Sequence, residues 1–270
     1  MESNRVTKKT GFKLSKFDPG DTGELDPHQD GKRKAKAELA ELNARLDSLQ
    51  ERLYADGHHK LLVVLQGMDT AGKGGTIRRV FEGVNPSGVR VAAFKAPSEV
   101  ELAHDFLWRI HPEVPRNGEL VIFDRSHYED VLIVRVRELV PEERWRARYR
   151  HIREFEQMLV DEGTTIVKFF LHISRDEQAE RLQARLDDPQ KHWKFRLSDL
   201  AERKLWDDYQ VAFEDAIKET STPSAPWVIV PANRKWYRDV VVCRTLVETL
   251  EKLDLEYPPS PDDLTGAEIS

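Results

Sequence analysis

Residues 61–81 constrain this chain more than any other segment. The apolar run Leu61-Leu62-Val63-Val64-Leu65 leads directly into Gln66-Gly67-Met68-Asp69-Thr70-Ala71-Gly72-Lys73-Gly74-Gly75, and Thr76-Ile77-Arg78-Arg79-Val80-Phe81 follows at helical spacing. A buried strand, a glycine-rich turn and a helix in that order form the context in which GxxxxGK binds phosphate. Gly67 and Gly72 let backbone N–H groups turn inward around an anion, and the helix N-terminus adds partial positive charge. Met68, Thr70, Ala71, Gly74 and Gly75 are expected to share in that cradle. Lys73 supplies a mobile full charge to the outer phosphates. Position 74 is glycine where a Ser or Thr hydroxyl normally meets Mg²⁺, so the ion needs other ligands, and Asp69 within the loop is a candidate.

The chain has 270 residues, enough to bury a sizeable core in one large α/β domain with appendages. Its net charge of −6 gives no support to nucleic-acid binding, so a polyanionic substrate has to be held by local basic clusters. No apolar run approaches the ~20 residues of a membrane span. The first nine residues lack the apolar stretch of a secretory signal. The lone Cys243 cannot form an internal disulfide, and together these features lead us to expect a cytoplasmic protein.

Residues 1–30 mix Lys, Asp, Gly and Pro without periodicity and are expected to form a flexible arm. Leucines 39, 42, 46, 49 and 53 recur at steps of three and four, which predicts a helix over about 34–55 stopped by Gly57. Further strands are expected at Val89–Phe94, Glu119–Phe123, Thr165–Ile173 and Trp227–Val230. Helices are expected from Ser98 to about His111, over about 126–137 and 142–161, after a capping box at Ser174–Glu177, from about Ser198 to Glu219, and over Lys235–Leu253. Residues 31–256 would then form the domain, and 257–270 a tail. Alternating strands and helices imply a mostly parallel sheet covered on both faces.

Ligands of open α/β sheets gather at the carboxyl ends of strands. Besides the loop with Asp69 and Lys73, Val89–Phe94 ends in Lys95, and Leu120–Phe123 delivers Asp124 and Arg125. An acid directly after an apolar strand is the usual second metal-site element of phosphate-loop proteins, so Mg²⁺ is expected between Asp69 and Asp124. Arg125 is expected to face the transferring phosphate. Arg181 and Arg185 lie four apart on one helical face, and Lys191-His192-Trp193-Lys194-Phe195-Arg196 adds basic and aromatic residues without an acid. Residues 178–200 therefore read as a lid over phosphates. His104, His111, His127 and His151 show no metal-ligand spacing.

At this point the sequence resembles the polyphosphate kinase 2 family. The likeness covers about residues 35–256 and rests on GMDTAGKGG at 67–75, FKAPS at 94–98, HDFLWRIH at 104–111 and FDRSHYEDVL at 123–132. Two more blocks carry it: RLQARLDDPQKHWKF at 181–195 and PANRKWYRD at 231–239. The resemblance implies a P-loop kinase fold of thymidylate kinase type. It also implies Mg²⁺-dependent, reversible phosphoryl transfer between inorganic polyphosphate and adenine or guanine nucleotides, in a homodimer or homotetramer. Carried onto this chain, Asp69 and Asp124 hold the metal, Lys73 and Arg125 grip phosphates, and Arg181 and Arg185 come from the lid with Lys191 and Lys194. Arg109, Tyr128 and Glu129 join the nucleotide-binding residues, in blocks most like the subgroup accepting both AMP and ADP. Asp124 departs from that subgroup, which commonly has Asn there. An ATP-using nucleoside monophosphate kinase and a nucleotide- or polyphosphate-binding regulatory module are the competing readings.

Overall fold

The structure is a computed structural model describing residues 4–6, 11–260 and 262. A short strand β1 (Arg5–Val6) precedes helix α1 (Gly31–Asp56), strand β2 (Lys60–Gln66) and helix α2 (Lys73–Val80). Then come β3 (Val89–Ala93), α3 (Glu99–Leu102), β4 (Leu120–Asp124), α4 (Ile133–Val136) and α5 (Glu142–Asp161). The chain continues through β5 (Thr164–His172), α6 (Arg175–Leu186), α7 (Leu197–Lys204), α8 (Trp206–Thr220), β6 (Trp227–Pro231) and α9 (Lys235–Glu251). The sheet order is β1-β6-β5-β2-β4-β3, with β2, β3, β4, β5 and β6 parallel and β1 antiparallel to β6. This is the α/β P-loop kinase architecture.

β2 is central because nearly every residue in it is apolar and buried, which suits a strand with helices over both faces. Leu61 to Leu65 pair with Leu120 to Asp124 on one side and with Thr165 to Phe169 on the other. The chain visits β3 and β4 on one side of β2 before crossing to β5 and β6. The carboxyl end of β2 is thus the topological switch point, where a crevice opens. α1 lies along α9 and buries Leu46, Leu49 and Leu53, while Leu39 and Leu42 pack at its margin. It stops at Gly57, as its sequence predicts.

The arm over 1–30 is a correction wherever it is described. Val6, Phe12 and Leu14 are buried in the core, and Ser221 Oγ donates to the Val6 carbonyl. Glu214 accepts from the Leu14 N–H at 2.9 Å, and the Pro19 carbonyl accepts from Asn233 N–H at 3.0 Å. Three apolar residues without periodicity are enough to anchor a segment that, among its described residues, adds one short strand. Residues 1–3 and 7–10 of the expected arm, and 261 and 263–270 of the expected tail, lie outside the described residues.

Three helices are shorter than their patterns suggest. After α3, Asp105 Oδ1 accepts from Leu107 N–H at 2.9 Å, and this local turn diverts the backbone from the helix expected to reach His111. Over 126–137 a 3₁₀ segment, His127–Val131, precedes α4, with Ser126 Oγ accepting from Tyr128 N–H. The helix expected from Ser198 to Glu219 is broken at Leu205 into α7 and α8. Ser174 caps α6 as expected, but Glu177 does not complete the box because it pairs with Arg181 Nε at 2.7 Å. At the open edge β3 has five residues, and Arg90 reaches from it to Glu113 and to the Val114 carbonyl.

His172 at the end of β5 lies beneath the arm. Burial lowers its pKa to about 4, with Phe17 and Asp18 offsetting only part of the effect. Protonation therefore favours the unfolded chain, where the ring titrates near its ordinary 6.5. Stability present above about pH 6.5 is expected to fall as pH drops toward about 4, by up to about 3 kcal/mol. Urea unfolding across that range should show the loss, and His172→Phe should flatten it. An equal slope in both proteins would contradict this account.

Candidate active site

The loop between β2 and α2 is held in shape by backbone conformations that side chains resist. Gly67 has φ 155°, and a Cβ there would lie 2.8 Å from the Leu171 carbonyl oxygen. Gly72 has φ 103°, and a Cβ there would fall on the Arg238 guanidinium. Between them Ala71 N–H donates to the Met68 carbonyl at 3.0 Å, and Thr70 holds a left-handed φ of 68°. Lys73, the first residue of α2, is buried, and its Nζ donates to the Gly67 carbonyl at 2.9 Å. Burial, reinforced by Arg125, pushes its pKa below the ordinary lysine value, against Asp69, Asp124 and Glu129.

β4 is in register with β2 so that Asp124 sits beside Leu65, one strand from the loop. Arg125 follows with a left-handed φ of 65°, and its Nη2 donates to Asp69 Oδ1 at 2.7 Å. Burial opposes the charge of Arg125, but Glu129, Asp69 and Asp124 outweigh it and hold its pKa above the usual value. Glu129 is pushed up by burial, partly offset by Arg125 and Lys73. With its amide nitrogen facing the carboxylate, Gln66 donates to Glu129 Oε1 at 3.1 Å. Two cations and three carboxylates from two adjacent strand ends thus share one charged crevice. A non-glycine residue in a left-handed conformation on each side of it marks the strain common at functional sites.

Gly74 is in the first turn of α2, and a Cβ there would meet nothing within 4 Å. Steric crowding by the protein therefore does not account for glycine. Gly74→Ala is expected to raise stability by roughly 0.5–1 kcal/mol. It should also lower turnover about tenfold, because a phosphate held by the backbone at that point would be displaced. Thermal melts with initial rates check both; a stabilised variant of full activity would show that no ligand approaches Gly74.

Lys95 and Arg109 come together at the end of β3, where Arg109 Nη1 donates to the Lys95 carbonyl at 2.8 Å and the guanidinium lies 5.7 Å from the Phe94 ring centre. Tyr128 is a correction. Its ring is fully buried, and its hydroxyl donates to Glu156 at 2.7 Å and lies 3.0 Å from Thr220 Oγ1, away from the crevice. The reason is a fully buried Lys168, whose Nζ lies 2.6 Å from Glu156 and 3.0 Å from the Tyr128 hydroxyl and draws that side chain inward.

The residues of the expected lid are partly engaged with the protein itself. Arg185 Nη1 donates to the Lys194 carbonyl at 3.0 Å and lies 3.8 Å from Asp199. Lys191 pairs with Asp188 at 2.5 Å, and Lys194 sits 4.7 Å from the Trp193 ring centre. Trp193 and Leu197 are 77% and 80% exposed, so the segment around them makes little contact with the rest of the molecule. Arg181 is different: its guanidinium is buried against the phosphate loop, where it donates to the carbonyls of Thr70 and Ala71 at 2.9 Å each. Burial pushes its pKa down, with Glu177 opposing.

A groove of about 1380 Å³ runs from the phosphate loop between α1, α2, α6 and the start of α9. Lys32, Lys36, Arg78, Arg79, Arg185, Lys191, Lys194, Arg234 and Lys235 line it, with Asp47, Glu82 and Glu180 among the few acids. Sequence reading missed Lys32, Lys36, Arg234 and Lys235, which are separated along the chain and converge only because α1 packs on α9. It also missed Gln178, whose amide donates to the Asp69 carbonyl at 3.2 Å, and Arg238, which underlies Gly72.

The carboxylate donors fit Mg²⁺, which takes one or two protein carboxylates and completes its shell with water and substrate phosphates. Asp124 on β4 and Asp69 in the adjoining loop would supply such oxygens, the latter already paired with Arg125.

The polyphosphate kinase 2 family profile matches residues 29–258. An AMP/ADP-polyphosphate phosphotransferase of Meiothermus ruber is 63% identical over 258 residues, covering 96% of each chain. An ADP-polyphosphate phosphotransferase of Rhodopseudomonas palustris is 46% identical, over 87% of this chain and 85% of its own. The crystal structure of polyphosphate kinase 2 from Arthrobacter aurescens superposes with a TM-score of 0.93 at 48% identity, covering 98% of this chain and 93% of that one. With its phosphate loop, its Asp124-Arg125 strand end and this breadth of likeness, the chain belongs to the polyphosphate kinase 2 family.

Proposed function

We propose that this protein transfers a phosphoryl group between inorganic polyphosphate and AMP or ADP, reversibly and with Mg²⁺. The observation that carries the reading is the juxtaposition of Asp69, Lys73, Asp124 and Arg125 beside a phosphate loop whose Thr70, Gly72 and Gly75 line a basic groove of about 1380 Å³. A groove lined by so many cations and few acids suits a linear polyanion.

In the forward direction an oxygen of the nucleotide's terminal phosphate attacks the end phosphorus of the chain. The bridging P–O bond breaks, and the shortened chain leaves with the electron pair. One phosphoanhydride is made as another is lost, so the equilibrium lies near balance. The work left to the protein is alignment and neutralisation of charge. Lys73 and Arg125 bind the non-bridging oxygens, while Asp69 and Asp124 would hold Mg²⁺. When bound there, Mg²⁺ would supply positive charge against the negative charge of the reacting phosphates. Glu129 orients Arg125 and Lys73 by its charge. Lys95 and Arg109 receive the nucleotide's phosphates, and Arg185, Lys191 and Lys194 close over the polyphosphate from the lid at 178–200.

The name of the Meiothermus ruber relative supports both AMP and ADP as acceptors. Guanine nucleotides are included because phosphate contacts carry most of the recognition. Residues 31–256 form the transfer domain, and we assign a homodimer or homotetramer on the family likeness, to be checked by sedimentation. A cytoplasmic setting suits the buried, unpaired Cys243, and among the described residues no helix is long and apolar enough to cross a membrane.

Incubating the purified protein with Mg²⁺, long-chain polyphosphate and ADP or AMP, without added ATP, tests the reading. Appearance of ATP from ADP, and of ADP from AMP, is expected. Product formed only with ATP as donor would assign a monophosphate kinase instead, and binding without turnover a regulatory module.

A further inference from the structure

The block Pro231–Asp239 lines the basic groove through Arg234 and Lys235, and its third residue also ties two separate regions together, the arm and helix α6. Asn233 N–H donates to the Pro19 carbonyl of the arm at 3.0 Å. Its side-chain oxygen accepts from Ser174 N–H at 2.9 Å, and its side-chain nitrogen donates to Ser174 Oγ at 3.2 Å. Ser174 is the N-cap of α6, the helix that carries the lid. The Asn233 carbonyl in turn accepts from Arg181 Nη2 at 3.1 Å.

Arg181 closes the circuit. Its Nε donates to Glu177, its Nη1 to the Thr70 and Ala71 carbonyls, and its Nη2 to the Ala232 carbonyl at 2.6 Å as well as to that of Asn233. A guanidinium has five N–H donors, and these five bonds use them all. To grip a phosphate, Arg181 would have to strip hydrogen bonds from buried carbonyls at a cost of about 1–3 kcal/mol for each. One of those carbonyls belongs to Thr70, a β-branched residue held left-handed, a conformation that persists only where neighbours impose it. Gln178, from the same helix, fixes the adjoining Asp69 carbonyl.

We propose that Arg181 and Asn233 are positioning residues that set the phosphate loop and the root of the lid helix as one unit, and that Arg181 is not a ligand of the transferred phosphates. The inference rests on the phosphotransfer reading for its kinetic consequences alone; the bracing itself concerns the protein without substrate.

The test uses Arg181→Lys and Asn233→Ala in the full chain. Lysine keeps the positive charge a phosphate ligand needs, but its single nitrogen cannot span the loop and the Ala232-Asn233 carbonyls. Both variants are expected to lose about 10²-fold in kcat with KM for polyphosphate nearly unchanged, the signature of misaligned reactants. In both, amide hydrogen exchange without substrate should speed up at 68–72 while the β2 and β5 core stays protected. Should Asn233→Ala fail to fold, Asn233→Asp keeps the acceptor facing Ser174 N–H and should give the same pattern about tenfold in kcat.

A normal kcat in Arg181→Lys with polyphosphate KM raised would make Arg181 a phosphate ligand and overturn the proposal. Unchanged exchange at 68–72 would overturn it equally. Absence of polyphosphate-driven turnover in the wild type would instead sink the functional reading, leaving the exchange data to decide the bracing.

Discussion

Arg125→Gly is expected to reduce polyphosphate-driven ATP formation by about 10³-fold or more while leaving the protein folded. A positioned arginine on a transferring phosphoryl group is worth about 10³–10⁵ in rate. The guanidinium also anchors Asp69 at 2.7 Å, so its loss frees a carboxylate assigned to the metal. Glycine is the informative replacement because the backbone at 125 is left-handed, with φ 65°. Any other side chain keeps a strain of roughly 1–2 kcal/mol, which glycine removes as it deletes the charge. Greater freedom of glycine in the unfolded chain cancels part of that gain, so stability should stay within about 1 kcal/mol of wild type. Initial rates beside urea unfolding separate the two effects. Retention of more than about a tenth of the wild-type rate would remove Arg125 from the transfer step.

The second large effect lies under the site, not in it. Lys168→Met should destabilise the protein by about 3–5 kcal/mol, because it leaves the Glu156 carboxylate buried without its cation. Lys168 and Glu156 are 0% and 2% exposed, with Nζ 2.6 Å from the carboxylate. Burial opposes ionisation of Glu156, but Lys168 and His127 outweigh it and hold its pKa below the usual value. Lys168 also donates to the Thr220 carbonyl at 2.9 Å, so the pair joins β5, α5 and the end of α8. Adding Glu156→Gln to Lys168→Met should restore much of the loss, since the stranded charge is gone. Urea unfolding of both decides it: a single variant costing under about 1 kcal/mol would mean the pair is not ionised in the fold.

How much of this was readable beforehand follows from the range of each interaction. The β2–loop–α2 unit is local, so strand, turn and helix are written in consecutive residues, and Asp124 announces itself by ending an apolar run. The α1 leucine stripe likewise needs only its own spacing. Tyr128 was misread because the lysine that draws it inward lies forty positions away on β5. The arm was misread because Val6, Phe12 and Leu14 have no period to betray their burial. Arg181 shares a helical face with Arg185, yet one bonds to the phosphate loop and the other to the Lys194 carbonyl. Spacing reports a shared face; it does not report that Ala232 and Asn233 wait opposite only one of the two.

The borders of the sheet bear on how copies of this chain can meet. One border ends in the two-residue β1, whose Arg5 and Val6 pair antiparallel with Val228 and Trp227. At the other, β3 offers just five residues and a charged Arg90. Such edges are poor templates for open-ended strand addition. Copies of this chain are then expected to meet through side-chain surfaces and not by adding strands to the sheet.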